Sequence, residues 1–340
     1  MEVTVMKNMK IAGLAGILGF LLIMGLVSPV FSQSIPGLDD LRDAMDDFSD
    51  KMAKSLPFNS SIGLNWSDAY IGNFLAIPPH FGAGISLGFT TMEGEALGKL
   101  MDQFNISLPI DIGGYPLFGW AVEGRLGGFI LPFDIGIKFG ILPVPISKED
   151  LKLDYMLLGL DVRYALIKQS VTKPNLSFGV GFNYLNGGIE KKIGEERKFD
   201  YPTDDHGGIS TLTLKRPTVG FNWGTSSLDL KLQISKSFVF ITPYLGFGAS
   251  KGWSKAGYSV KTTITDSEGN LDAAMAIAEG FGINDLSDNG FSSEKVFDGW
   301  SFRAFGGFSI NITFLKIDIT GLYNIRDNKY GTSLGFRVQM

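Results

Sequence analysis

FDIGIKFGI, residues Phe133–Ile141, alternates without a break. Phe133, Ile135, Ile137, Phe139 and Ile141 are large and apolar, and Asp134, Gly136, Lys138 and Gly140 between them are charged or small. A period of two belongs to a strand with one apolar and one polar face. The pattern returns in Phe81–Thr90, Phe118–Leu126, Leu158–Leu166, Phe178–Tyr184, Leu228–Ile234, Trp300–Ile312, Leu315–Ile325 and Tyr330–Met340. So many half-apolar strands, with no cysteine, read as an all-β, antiparallel up-and-down transmembrane β-barrel.

Composition agrees. The 340 residues include 44 Gly, 27 Phe and no Cys, which suits small side chains crowding a lumen and Phe facing lipid. Mean hydropathy is +0.15, high for a soluble chain and low for a helical membrane protein. The net charge of −5 gives no basic footprint, so a nucleic-acid partner is not expected. The absence of Cys excludes disulfides and thiolate metal sites.

The chain opens with an export pattern. Lys7 and Lys10 precede the apolar run Ile11–Val27, and Val30-Phe31-Ser32 places small or permissive residues for cleavage after Ser32. Residues 1–32 therefore read as a signal peptide, with an uncleaved anchor helix as the alternative. No later segment is apolar enough to span a membrane as a helix. An exported chain of alternating strands is expected in the outer membrane of a diderm bacterium, with outer-membrane lipid as its first partner.

Residues 33–57 form a separate piece. Leu38, Leu41, Met45, Phe48, Met52 and Leu56 fall on one helical face, opposite Asp39, Asp40, Asp46, Asp47 and Asp50. This amphipathic helix is expected either on the periplasmic rim or as a plug in the lumen, ahead of the barrel at 58–340. Ten strands are expected at 81–92, 118–127, 133–142, 152–167, 176–193, 226–236, 238–264, 296–312, 315–326 and 329–340. The count becomes twelve if Ser60–Ile77 supplies a further hairpin. Short and long connections alternate, so the short turns are periplasmic, the long loops extracellular, and both termini periplasmic. Short helices are expected in two loops, Ala96–Phe104 and Leu271–Ala278.

With that register, Trp120, Tyr184, Trp300, Tyr323 and Tyr330 fall near the extracellular interface and Tyr164 near the other, an aromatic girdle. The opposite face carries Glu123, Arg125, Asp134, Lys138, Asp161, Arg163, Asp229, Lys231, Arg303, Lys316, Asp318, Arg326 and Arg337. Four i, i+2 pairs stand out: Glu123–Arg125, Asp161–Arg163, Asp229–Lys231 and Lys316–Asp318. Mixed signs at this density suit either a salt-bridged filling or a small pore with weak anion preference. Gly136, on the same face, reads as a lumenal position that tolerates Asp.

The last strand resembles the C-terminal recognition signal of bacterial outer-membrane β-barrels: Tyr330, Thr332, Leu334, Phe336, Val338 and Met340 alternate to the final residue, with Met where that family usually ends in an aromatic. The resemblance implies assembly by the barrel-assembly machinery acting on this strand. In its Gly- and Phe-rich style, acidic N-terminal helix and Met terminus, the chain looks most like spirochaete outer-membrane barrels. Asp204-Asp205-His206 resembles the Asp–His half of ten-stranded outer-membrane aspartyl-type proteases, but no opposing Asp pair is visible, and the turn chemistry of Asp-His-Gly-Gly competes. Asp266, Glu268, Asn270 and Asp272 alternate as calcium-type oxygen ligands would, without the Gly and closing Glu of an EF-hand. No cofactor or metal is expected. The chain reads as a non-enzymatic barrel, a small porin-like channel or a solute-uptake protein for small solutes. The alternative is a filled structural or surface-interaction barrel; a rim-site hydrolase is a weak third.

Overall fold

A computed structural model describes residues 38–93, 114–142, 151–192, 195–202, 209–216, 218–261, 264–266 and 291–340. The signal segment, both loop helices, Asp204–His206 and all but Asp266 of the alternating acidic set lie outside the described residues. A helix, α1 (Leu38–Asn59), comes first. The strands are β1 (Phe81–Met92), β2 (Tyr115–Gly127), β3 (Phe133–Ile141), β4 (Leu151–Ile167), β5 (Asn175–Lys192), β6 (Arg197–Pro202), β7 (Ile209–Leu214), β8 (Thr218–Ser235), β9 (Ile241–Lys261), β10 (Ile264–Asp266), β11 (Phe291–Ile312), β12 (Leu315–Asn324) and β13 (Lys329–Gln339).

Ten of these close an antiparallel barrel in the order β1-β2-β3-β4-β5-β8-β9-β11-β12-β13, and β13 returns to pair with β1. β6, β7 and β10 form a separate small sheet at the long-loop end, where the sequence pattern predicts loop over 194–226 and beyond 264. Among the described residues no helix is long and apolar enough to cross a membrane. The wall crosses by strands instead, whose backbone groups are satisfied by their neighbours.

Alternation sets the two faces. On β3 the odd positions Ile135, Ile137, Phe139 and Ile141 point out and Asp134, Gly136, Lys138 and Gly140 point in. At about 3.3 Å per residue and a tilt of about 40°, its 9 residues rise about 23 Å, near the ~25 Å of an outer-membrane apolar band. The band ends sharply at the long-loop side. Outward residues change from Met156 to Asp154 on β4, from Tyr184 to Asn186 on β5, from Leu228 to Ser226 on β8 and from Trp300 to Asp298 on β11. Lys251, level with Leu228 and Trp300, pairs up to Asp298, and above the line Lys255 pairs with Glu294 at 3.4 Å, on the outer face. Trp120, Tyr164, Tyr184, Trp300, Tyr323 and Tyr330 all point outward, as does Trp253, which joins Tyr184 through Ser226 in register.

Ser60–Ile77 is neither a hairpin nor part of the wall. No strand forms there, because the run is rich in small polar residues, broken by Gly63 and Gly72 and followed by Pro78. It is an irregular, largely buried segment threaded through the barrel interior.

Candidate functional site in the barrel lumen

The interior has two storeys. The upper one, at the long-loop end, is apolar. Phe48, Met52, Ala53 and Leu56 of α1 pack on Met92, Ala121, Leu153, Leu157, Leu185, Ile189, Phe221, Ala256 and Tyr258, inward residues of β1, β2, β4, β5, β8 and β9. Phe48 meets Phe221 edge-on at 5.1 Å. Ion pairs hold the helix at the mouth: Lys51 to Glu93 at 3.1 Å and Lys295 to Asp46 at 2.7 Å. Asp46 lies below the ordinary carboxylate range. Burial raises it, but hydrogen bonds from Lys295 and Ser293 outweigh that. Lys51 is raised, chiefly by its bond to Glu93. The helix descends from this mouth, so its start lies at the long-loop end. Of the two places expected for this helix, the rim and the lumen, α1 occupies the upper lumen, while β1 starts at the short-turn end, as expected.

Below α1 the main chain of residues 60–71 is bonded to the wall almost residue by residue. Lys138 Nζ donates to the carbonyls of Ser60 (2.7 Å) and Ile62 (2.6 Å). The Leu64 amide donates to Glu123. Gln233 Nε2 donates to the Trp66 and Ser67 carbonyls, and Arg163 to that of Asp68. The amides of Ser67, Ala69 and Ile71 donate to Asp318, Ser235 and Asp134. Two side chains enter dedicated pockets. The Trp66 ring lies 4.5 Å from the Arg337 guanidinium and 5.5 Å from that of Arg125, and its indole N–H donates to Glu123 at 2.7 Å. Asp68 takes Lys316 at 2.7 Å and Arg337 at 2.9 Å.

The wall charges pair around the barrel, not along a strand. Arg125 reaches Asp134 (2.5 Å) and Asp161 (2.8 Å), Arg163 reaches Asp134 (2.8 Å), and Lys231 reaches Asp161 (2.5 Å). Arg303 grips Asp229 with two bonds of 2.7 Å, and Arg337 takes Asp318 at 2.5 Å. None of the four same-strand pairs read from the sequence forms. Glycines set the reach. In register around the wall run Arg125, Gly136, Asp161, Gly181 and Asp229. One row over run Asp134, Arg163, Gly179, Lys231, Gly248 and Arg303. Arg125, Lys231 and Arg303 each cross a glycine-bearing strand to a carboxylate two strands away, whereas Arg163 and Arg337 take carboxylates on the next strand. A Cβ on Gly136 would sit 2.5 Å from Asp161 Oδ1 and 2.8 Å from an Arg125 nitrogen, so its tolerance of Asp is also corrected.

Arg326 is not in the lumen. Asn324 ends β12, its side chain accepts from the Arg326 amide in a turn, and Arg326 lies exposed over Phe297. The other twelve charged residues face inward, Lys316 partly exposed and the rest buried. Sequence reasoning missed Trp66, Asp68 and Gln233, and the inward apolar set of the upper storey. Tyr155–Leu158, apolar on both faces, is the visible signal for that set. A cavity of about 10 Å³ remains beside Lys138, Asp161, Asp229 and Lys231, room for roughly one water.

No protein-family model matches the chain, and neither does any curated protein. Similar solved structures are bacterial outer-membrane barrels. The outer membrane protease OmpT of Escherichia coli is 11% identical, over 77% of this chain and 97% of that one, with a TM-score of 0.40. Pseudomonas putida OprB is 12% identical over 66% and 59%, with a TM-score of 0.16. A Pseudomonas aeruginosa FadL homologue is 9% identical over 76% and 88%, with a TM-score of 0.21. A protease thus stands among the barrels this chain resembles. The expectation of a non-enzymatic barrel is corrected accordingly, since the fold gives no ground for excluding an enzyme.

Proposed function

We propose that the protein is a diderm outer-membrane barrel sealed by its own N-terminal segment, acting at the cell surface through its long-loop end. The observation that carries this reading is the bonding of residues 60–71, along their main chain, to Glu123, Lys138, Arg163, Gln233 and Asp318. A standing pore needs a water path. Here the wall charges are spent on one another and on the segment, with α1 packed above. The apolar belt supports the membrane placement, and the asymmetry of short turns and long loops supports an outward-facing mouth. Cleavage after Ser32 would supply export. The alternation of β13 to Met340 supports handling by the assembly machinery. The Gly- and Phe-rich composition supports a spirochaete affinity.

Solute uptake is the second reading, with the segment moving aside. It is favoured by one observation: the ion pairs of α1 at the mouth are partly exposed, and such pairs contribute about 0–1 kcal/mol each. Planar-bilayer recording of the full chain separates the two. The sealed reading expects a silent membrane; stable conductance steps at low voltage would overturn it.

A further inference from the structure

The short turns of this barrel have the wrong chemistry for water. Turn tips in water favour Gly, Asn, Asp, Ser and Pro. Here the β2–β3 turn presents Phe129, Ile130 and Leu131, and the β8–β9 turn presents Phe238, Val239 and Phe240, all exposed. Val171 tips the β4–β5 turn at 96% exposure, Phe314 tips β11–β12, and Ile77, at 99%, lies on the stretch that leads into β1. These tips form one laced rim. Asn73 donates to the Ile130 carbonyl, and Phe74 meets Phe129 at 5.6 Å. Gln169 bonds Ser237, and the Asn311 amide bonds the Phe240 carbonyl. The Met340 amide bonds the Phe81 carbonyl.

Charge on the rim has one sign apart from the terminal carboxylate. Residues 72–80, 128–132, 168–174, 236–240 and 313–314 contain no Asp or Glu, but include Lys168, Lys173 and Lys236. Lys236 is occupied with turn carbonyls of Ser170, Val171 and Lys173. Lys168 and Lys173 are exposed. The apolar tips continue the lipid-facing wall, from Leu126 to Phe129 through two glycines and from Ile312 to Phe314 past Thr313. A continuous exposed apolar surface of this extent marks an interaction site.

Resting on the outer-membrane placement above, we infer that this rim is a lipid-binding surface. It is seated in the head-group layer of an anionic phospholipid leaflet, with the turn tips inserted and Lys168 and Lys173 against the phosphates. The belt of about 23 Å ends where the turns begin, so the tips fall in the interfacial layer beyond the hydrocarbon. Continuity with the lipid-facing wall selects lipid over a protein partner.

The chain has no cysteine, so single-site labels report cleanly. Ile130→Cys, Val239→Cys and, as a mid-belt control, Ile137→Cys of the full chain are labelled with an environment-sensitive fluorophore. They are placed in nanodiscs, whose two faces are both open to buffer. The inference expects the rim labels to be quenched by lipids with a nitroxide at the head group and shielded from aqueous iodide. Spin-labelled phosphatidylglycerol should be preferred over phosphatidylcholine around the barrel, and Lys168→Gln with Lys173→Gln should lower that preference by up to about 5-fold per lysine. Rim labels open to iodide and untouched by head-group nitroxides would overturn the inference and leave the rim to a protein partner. An Ile137 label that no lipid nitroxide quenches would overturn the membrane placement itself. Neither result depends on whether the lumen conducts.

Discussion

Replacing Arg303 with Met isolates the energetics of the lumen. Arg303 and Asp229 are nearly fully buried, at 2% and 6% side-chain exposure, and two bonds of 2.7 Å join them. Charge-assisted bonds contribute about 1.5–3 kcal/mol each, so the pair accounts for about 3–6 kcal/mol relative to an orphaned carboxylate. That matches the ~3–5 kcal/mol lost when one partner of a buried pair is removed. After the change Asp229 keeps only the Ser250 hydroxyl at 2.7 Å, because Lys231 is already engaged by Asp161 at 2.5 Å. The expected loss for Arg303→Met is therefore about 3–4 kcal/mol, read from urea unfolding in lipid vesicles. The double variant Arg303→Met with Asp229→Leu removes both charges and should regain most of that loss. If the lumen were a wet channel, water would screen Asp229 and the single variant would lose less than about 1 kcal/mol. A loss that small, or a double variant no better than the single, would refute the packed-lumen reasoning.

Trp66→Ala should cost about 3–5 kcal/mol, since it empties the slot between Arg125 and Arg337 and removes one of the bonds to Glu123; protease release of the 38–77 segment, before barrel unfolding, checks it. Ile137→Asp and Gly136→Asp should both lower the folded fraction in heat-modifiable gels. The first puts a charge on the lipid face, at about 2 kcal/mol or less for Asp, and the second collides with Arg125 and Asp161. Met340→Asp should lower folded yield in cells and Met340→Phe should not, read from the same gels. Asp46 is held below its ordinary value of 3.8, so its contribution to holding α1 is present above that value and lost as pH falls through the lower folded one. Pepsin nicking of α1 should rise as pH drops below about 4, and Lys295→Gln should remove that step.

The wall was legible because period two is a local signal, and each of the ten barrel strands falls where alternation places it. The contents were not. Ser60–Ile77 alternates only at Ile62, Leu64 and Trp66, which suggests a hairpin; its conformation is dictated by Glu123, Lys138, Arg163 and Gln233, more than forty positions away. The charged residues were visible but their partners were not, because pairing depends on register between strands. The glycines that let Arg125 span to Asp161 look, in one dimension, like spacers. Arg326 was misplaced for a simpler reason: the pattern runs on to Ile325, while the Asn324 side chain turns the backbone first. Leu153, Leu157, Leu185 and Ile189 continue the inward parity of the charged positions. They mark the change from ionic to apolar filling only once a helix is known to lie against them.

Arg337 has a consequence for how the molecule is made. It sits on the final strand, yet it bonds Ser67 and Asp68 near the beginning and Asp318 on the preceding strand. Residues 67 and 68 of the interior segment therefore wait for β13. Until β13 arrives, Trp66 lacks its nearest cation, Asp68 one of its two, Asp318 lacks its guanidinium, and the β1 edge is unpaired. Seam closure and satisfaction of the interior are one event, dominated by the longest-range contacts in the sequence, which form slowly. A chain interrupted before β13 would hold a set of uncompensated buried charges and an open edge. The interior thus acts as a check on completeness, and a barrel of this kind is finished only when its two ends meet inside it.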